Sequence, residues 1–432
     1  MKTRLDWASL AHRPGPAMTR EDRLHRLDTS LRHCASSLPG DQRLPEFIKL
    51  TGTSGKGSVA AMLEATMIAA GKRVGIFTSP HLCEPSERIR INGQTIRAAR
   101  LDAIERSAAS LLDGIDEELG AVGSLSFFTT MFVLAVLAFA EDGVEVAIIE
   151  AGIGGHYDST SRIPAGLAAI TSVGIDHAGV LGPTIADIAR NKAGIASDRS
   201  TLVLGPGLDA DAEAAIVRDT SPRGVRIVKS SRAGLSARSL GVHGHEVRLA
   251  TSHGTLEFHL PLAGDFQLDN LATVACLISE AQAANLELEQ RSLAGVAHTR
   301  WPGRLEFIPG SPGWLLDCAH NELALRSLAD FVRGAELAPP ITLMLGATSP
   351  DVARQAIEIL APLVDRVRGV EGFHRATPIG ALLGSVAESP EQALDSLLTD
   401  PGSRGTVIVT GSLFLVGRCR AILSEREENQ RR

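Results

Sequence analysis

The stretch "KLTGTSGKGSVAAML", Lys49 to Leu63, places Gly52, Gly55 and Gly57 around Lys56 and just ahead of Ser58. Those residue types in that order suit a polyanion. Glycines let backbone N–H groups approach phosphate oxygens, a lysine adds a mobile cation, and a serine hydroxyl can ligate magnesium. The strict P-loop spacing of Gly, four residues, Gly-Lys and Ser or Thr is not met. Gly52 stands only three before Gly55, and Gly57 separates Lys56 from Ser58. The alternative is a tight strand-to-helix turn with a solvated lysine. Two further acidic positions end apolar runs: Glu150 closes "VAIIE" ahead of "AGIGG", and Asp176 with His177 follows "TSVGI" ahead of a segment carrying Lys192. An oxygen and an imidazole beside a triphosphate would suit magnesium, although imidazole is not its preferred ligand. The bland reading of Asp176 and His177 is a capping aspartate beside a surface histidine. Later, Asp317 and His320 stand in "LLDCAHN" and Arg304 in "HTRWPGRLE". A nucleotide held between domains needs such groups, whereas a linker salt bridge and a helix-capping histidine are their ordinary roles.

The elements that must position these residues are legible as alternation. Apolar runs at Phe47 to Leu50, Val74 to Phe77, Val146 to Ile149 and Leu167 to Thr171 alternate with helical segments, which predicts a parallel sheet with covering helices. The segment from Ser58 reads as a helix closed by Gly71, so the glycines sit at a helix N-terminus, where the dipole favours anions. Between Gly224 and Leu262, "VRIVKSS", "HEVRLATS" and "TLEFHLPL" read as antiparallel strands appended to that domain. Pro302 and Gly303 then break the pattern, and "WLLDCA", "ITLMLG", "VRGVEG" and "TVIVTG" begin a second alternation. The expected organisation is a first domain over 1–297, a linker over 298–304 and a second α/β domain over 305–432.

Composition narrows the ligand class. The 432 residues carry a net charge of −7 and only 4% aromatic residues, with Tyr157 the single tyrosine. That balance offers neither the basic surface nor the stacking platforms of a nucleic-acid binder, and no reason to expect a membrane partner. The five cysteines, Cys34, Cys83, Cys276, Cys318 and Cys419, are scattered without metal-ligand spacing, which points to reduced thiols. With no signal-like leader and no apolar run of membrane-spanning length, a cytoplasmic monomer acting on small molecules is expected.

Taken together, the blocks "LTGTSGKGS", "FTSPHLCEPSERIRING", "IIEAGIGGHYDST", "TSVGIDHAGVLGPTIADIARNKAGI", "GDFQLDNLATV", "WPGRLE", "LLDCAHN" and "VTGSLFLVG" resemble, in order and nearly end to end, the folylpolyglutamate synthase and dihydrofolate synthase family of the Mur ligase superfamily. The resemblance implies a Mur-ligase-like α/β fold: a P-loop-type parallel-sheet ATPase domain with a small appended β region, then a Rossmann-like C-terminal domain that binds the amino acid. It implies ATP as cofactor with magnesium at two sites, and activation of a carboxylate as an acyl phosphate that an amino acid, typically glutamate, attacks. On that resemblance Gly52, Thr53, Ser54, Gly55, Lys56, Gly57 and Ser58 would hold phosphates. Ser58, Ser79, Glu150 and His177 would bind metal, and Lys192 matches a lysine whose carbamylated form is a further ligand. Asn270 would contact adenine, while Arg304, Asp317 and His320 would close over the nucleotide. Phe128, Thr129, Gly155, His156, Asp158 and Ser412 fall where the acyl substrate and amino acid are expected.

The departures gather on the acceptor side. His156 replaces an arginine usual after the paired glycines, Thr129 a glutamate usual after the paired phenylalanines, and Asn191 stands where glutamate is common. "DCAHNE" stands where Asp-Gly-Ala-His-Asn-Pro is usual, and "LGATSPD" lacks the Asp-Lys-Asp usual after that strand. Three readings therefore compete: glutamate addition to dihydropteroate or a reduced folate in folate biosynthesis and one-carbon metabolism, a paralogous ligase using another aryl carboxylate and amino acid, and a non-catalytic nucleotide-binding protein. A plain P-loop kinase is disfavoured by the second domain.

Overall fold

The computed structural model describes residues 28–29, 44–120, 125–252, 254–281, 289–383 and 388–431. Two compact units divide the chain. The first comprises Met1–Leu235, Ala250–Leu256 and Asp269–Val296, and the second Ser236–Leu249, Glu257–Leu268 and Ala297–Arg432.

The first unit is built on eight strands: β1 (Glu46–Thr51), β2 (Val74–Phe77), β3 (Ile89–Ile91), β4 (Gln94–Thr95), β5 (Val146–Glu150), β6 (Leu167–Ile170), β7 (Thr201–Leu204) and β8 (Arg226–Lys229). They lie in the order β4-β3-β2-β5-β1-β6-β7-β8. All neighbours from β2 to β8 run parallel, and β3 and β4 add an antiparallel edge. The central runs are apolar on both faces because helices cover both, as a buried parallel sheet requires. One face packs Phe47, Phe77 and Ile149 against Phe132 and Phe139 of the helix Phe127–Glu141. The other packs Ala168, Ile170, Leu202 and Leu204 against the helices Ile185–Ala193 and Ala210–Thr220.

The segment "VRIVKSS", expected to be antiparallel and appended, is instead the edge strand β8 of this sheet, parallel to β7. The helix Ala210–Thr220 just before it supplies the crossover that a parallel neighbour needs. The appended sheet consists of β9 (Leu235–Ser239), β10 (His245–Thr251) and β11 (Gly254–Leu260), in the order β11-β10-β9. Two residues join β10 to β11, a length that permits only an antiparallel pair.

The second unit carries β12 (Glu306–Ile308), β13 (Gly313–Leu316), β14 (Ile341–Leu345), β15 (Arg366–Gly369) and β16 (Thr406–Thr410) in the order β12-β13-β16-β14-β15. All are parallel except β12. Leu315, Leu343 and Ile408 pack there against Leu325, Leu328 and Val332 of the helix Glu322–Gly334, giving this unit its own core. Cys83, Cys276, Cys318 and Cys419 form no disulfide, and Cys34 lies outside the described residues. Among the described residues no helix is long and apolar enough to cross a membrane.

Candidate functional site

β1 is the central strand of the first sheet, and the chain leaves its carboxyl end at Gly52 between the ends of β5 and β6. That edge is where open α/β sheets bind ligands. Thr53 donates its N–H to Ser172 O at 3.0 Å, and its hydroxyl both donates to Gly174 O at 3.1 Å and accepts from Gly174 N at 2.9 Å. Ser54 donates its N–H to Ser172 Oγ at 2.8 Å, and its carbonyl accepts from the hydroxyls of Thr171 and Ser172. A Cβ on Gly52 would sit 2.0 Å from Thr171 Oγ1, so this turn needs glycine. Gly55 caps the following helix at φ 87°, a left-handed conformation that glycine adopts without strain. The helix runs Lys56–Ala69, two residues earlier than the Ser58 start expected, so Lys56, Gly57 and Ser58 form its first turn, where amide N–H groups lack intrahelical partners.

The Lys56 ammonium donates to Gly52 O at 2.9 Å and lies 3.8 Å from Glu150 Oε1. Glu150, the last residue of β5, is buried and accepts the Ser79 N–H at 3.1 Å. Ser79 therefore reaches the carboxylate through its backbone. Lys192, buried on the helix Ile185–Ala193, has its pKa lowered to about 7 by burial and by the Lys56 charge, partly countered by Asp176 and Asp158. The His177 N–H donates to Asp176 Oδ1 at 2.8 Å, and its Nε2 lies 3.9 Å from that oxygen. Thus Ser79, Glu150, Lys56, Lys192, Asp176 and His177 form a chain of neighbours around the helix N-terminus. Among the described residues no three His, Cys, Asp or Glu side chains group as a metal cage. Asn270 closes the other side: a Cβ on Gly55 would lie 2.3 Å from its Oδ1.

The expected acyl-side residues lie on the loop after β5. Asp158 is buried, and its carboxylate accepts from Ile153 N, Thr160 N and Thr160 Oγ1 at 2.8 to 3.0 Å; burial raises its pKa against those bonds. It is an organiser of its own loop. Gly155 donates its N–H to Asn191 Oδ1 at 3.0 Å, and a Cβ there would collide with Lys192 O at 2.5 Å. The loop therefore presses on the helix that carries Lys192. His156 turns its Nε2 to Asp219 Oδ1 at 3.1 Å, onto the helix Ala210–Thr220. Thr129 shares hydroxyl bonds with Ser159 and Ser126, both at 2.9 Å. Phe128 packs tilted against Phe77, ring centres 5.4 Å apart, and lines the loop at Gly152.

Two groups beside Glu150 were not singled out in the sequence. Arg88 is buried, its Nε–H donates to His81 Nδ1 at 3.0 Å, and its guanidinium lies 4.9 Å from the Phe127 ring centre. Burial lowers the Arg88 pKa to about 10, against the attraction of Glu150, and that of His81 to about 4. His81 is thus neutral, with its proton on Nε2. Nothing in the spacing of "SPHLCEPSERIR" marks this pair, because only the fold brings the loop back under Glu150. A cavity of about 850 Å³, bordered by Glu46, Arg162, Ser197 and Arg199, lies instead at the amino ends of β1, β6 and β7, the opposite edge of the sheet.

In the second unit, Asp317 and His320 follow β13 and Ser412 follows the neighbouring β16. Asp317 is buried and accepts from Leu305 N and Ala319 N, both at 2.9 Å; burial raises its pKa while the Arg304 charge opposes this. Arg304 also donates to Gly303 O at 3.1 Å. His320 Nδ1 lies 2.7 Å from Cys318 O; a carbonyl can only accept, so Nδ1 holds the proton and Nε2 faces outward. Ser412 is buried and its Oγ accepts from Phe414 N at 3.2 Å, capping the helix Leu413–Arg431.

The Mur ligase middle domain model matches residues 50–278, more than half of the chain. The folylpolyglutamate synthase of Lacticaseibacillus casei is 30% identical over 411 residues, covering 92% of this chain and 94% of that one. This chain belongs to the folylpolyglutamate synthase and dihydrofolate synthase family. The family is one of ATP-dependent ligases. A probable bifunctional folylpolyglutamate synthase/dihydropteroate synthase of Halobacterium salinarum is 30% identical over 396 residues; the match covers 87% of this chain and 47% of that protein, so this chain spans about half its length. The solved FPGS-AMPPCP-folate complex superposes with a TM-score of 0.81 at 30% identity, covering 96% of this chain and 98% of that one.

Proposed function

We propose that this protein uses ATP to activate a carboxylate as an acyl phosphate and joins it to the amine of L-glutamate, with dihydropteroate or a reduced folate as the acyl substrate. The observation that carries this reading is the convergence of Lys56, Glu150 and Lys192 on the N-terminus of the helix Lys56–Ala69. The buried Lys192 and the half-buried Lys56 repel one another and are best neutralised together by a polyanion, and the phosphates of ATP supply one. The substrate carboxylate attacks the γ-phosphorus, and the bond to the bridging oxygen breaks to release ADP. The glutamate amine then attacks the acyl carbon, phosphate leaves, and the amine loses a proton. Little covalent work falls to the protein, so the amides of Gly52 to Ser58 and the Lys56 ammonium act by positioning and by balancing charge.

Glu150, Ser58 and Ser79 fit magnesium in the way phosphate-transfer sites usually do, with one carboxylate and few other protein donors. His177 and a carbamylated Lys192 would complete two such sites, and the metal would supply charge neutralisation at the phosphoryl oxygens. The lowered pKa of Lys192 supports its carbamylation, since the neutral amine is the form that reacts with CO2. On the same reading Asn270 would contact adenine, Arg304, Asp317 and His320 would bind the nucleotide and Ser412 substrate, with an ATP-binding and acyl domain taken as 1–297, a linker as 298–304 and an amino-acid-binding domain as 305–432. Cysteines that form no disulfide support a reducing, cytoplasmic setting.

A second reading, a paralogue that ligates another aryl carboxylate, draws on His156 and Thr129. Both stand where charged side chains are expected, and both are committed to neighbours, Asp219 and Ser159. One assay separates the readings: ADP release with MgATP and L-glutamate, with and without dihydropteroate or tetrahydrofolate, followed by product mass. The folate reading expects a product heavier by one glutamyl unit and at least about 100-fold loss of rate in Lys56→Ala. Nucleotide binding without turnover of either folate substrate would instead transfer support to the paralogue.

A further inference from the structure

Lys49 lies in the middle of β1 and is completely buried, between Ile48 and Leu50. Its ammonium donates to Ser161 O at 3.0 Å, Ile163 O at 2.8 Å and Ser197 Oγ at 3.1 Å. Two carbonyls and a hydroxyl surround the amine, and the protonated form donates to all three at once. Burial, with the nearby charge of Arg223, draws its pKa down to about 7. An ammonium here is therefore costly, and an unbranched apolar side chain would fill the space without that cost. What the charge does is visible in its partners. Thr51, two residues along and on the same face of β1, donates its hydroxyl to Gly154 O. The strand that leads into the nucleotide loop thus grips the acyl loop near both ends, at Gly154 and at Ser161 to Ile163. Ser197 belongs to the segment that follows Lys192, and its Oγ also accepts from Ala165 N at 3.0 Å. The same segment is held from outside by Arg223, which donates to Ala193 O at 2.9 Å and Ala196 O at 2.6 Å and pairs with Asp219, the partner of His156.

We propose that Lys49 is a positioning residue for the ligation: its ammonium fixes the loop that carries Asp158 and Ser159 against the segment that follows Lys192, and locks both to the nucleotide-loop strand. The proposal rests on the function argued above, in which that loop meets the acyl substrate. Lys49 itself has no place at the reacting atoms.

The test compares the full-length wild type with Lys49→Met and Lys49→Arg by hydrogen exchange and by steady-state kinetics with MgATP, L-glutamate and dihydropteroate. In Lys49→Met the amides of Gly152 to Ile163 and Lys192 to Ser197 should exchange about tenfold faster, while those of β1 and ATP affinity stay within about twofold. KM for the acyl substrate should rise about tenfold, with a smaller fall in kcat, and Lys49→Arg should restore most of both. Unchanged exchange in the two segments overturns the proposal. So does uniformly faster exchange across the first unit with parallel loss of ATP binding, which would make Lys49 a stability residue only. Should Lys49→Met not fold, Lys49→Gln, which keeps two N–H donors, gives the same comparison. If the wild type ligates neither folate substrate, the functional reading fails while the exchange data still decide the role of Lys49.

Discussion

Lys192 shows how a residue's environment decides its chemistry. A lysine in water is an ammonium until pH exceeds 10, but burial and the facing Lys56 bring this one to about 7. Its pKa is depressed, so the neutral amine gains as pH rises through that value. Carbamylation with 13C-labelled bicarbonate should therefore give an NMR carbamate signal that strengthens from about pH 6 to about pH 8 and is missing in Lys192→Arg. A spectrum identical in wild type and variant would leave Lys192 as an ordinary counter-charge for phosphate. The sequence made this residue visible only through its place in an ordered set of motifs. Lys49 was not visible at all, because a lysine inside an apolar strand reads as an edge or a chance exposure until the fold shows three oxygens around it. His156 was legible as a departure, but its partner Asp219 lies 63 residues away and belongs to the helix Ala210–Thr220, which no local pattern connects to it.

At the scale of elements, the strand-to-helix junction after β1 was legible because glycines mark it twice over, as turn formers and as sites of close approach. Gly55 combines both demands. At φ 87° an alanine pays left-handed strain on the order of 1 kcal/mol. Its Cβ would also lie 2.3 Å from Asn270 Oδ1, so the amide must swing away from the loop. Gly55→Ala should therefore weaken ADP binding by about tenfold or more in calorimetric titration, while leaving the far-ultraviolet dichroism of the fold intact. Unaltered affinity would mean that Asn270 and the cap geometry matter little to the nucleotide. Other elements were legible in type but not in pairing. The residues "VRIVKSS" make a strand, yet whether it joins the main sheet in parallel or an appended sheet in antiparallel depends on the crossover helix before it. The loop holding His81 and Arg88 had no periodicity to read, and only the fold brings the Arg88 guanidinium into the field of Glu150.

On the scale of the whole molecule, the chain divides into two units that each bury a core of their own. Chains with separate cores commonly fail the two-state condition, so heating should produce two calorimetric transitions. The nucleotide loop, Glu150, Lys192 and Asn270 all belong to the first unit. MgAMPPCP at about 100 times its Kd should then stabilise that unit by roughly 2.7 kcal/mol and raise its transition more than the other. A core substitution identifies the other. Leu328 is buried in the second unit against Leu315 and Leu343, and Leu328→Ala should cost about 2 to 5 kcal/mol and lower the transition that the nucleotide raises less. If the nucleotide and Leu328→Ala instead move a single shared transition, the two cores unfold as one cooperative system. The free energy of nucleotide binding would then be distributed over the C-terminal domain as well as the loop that holds the phosphates.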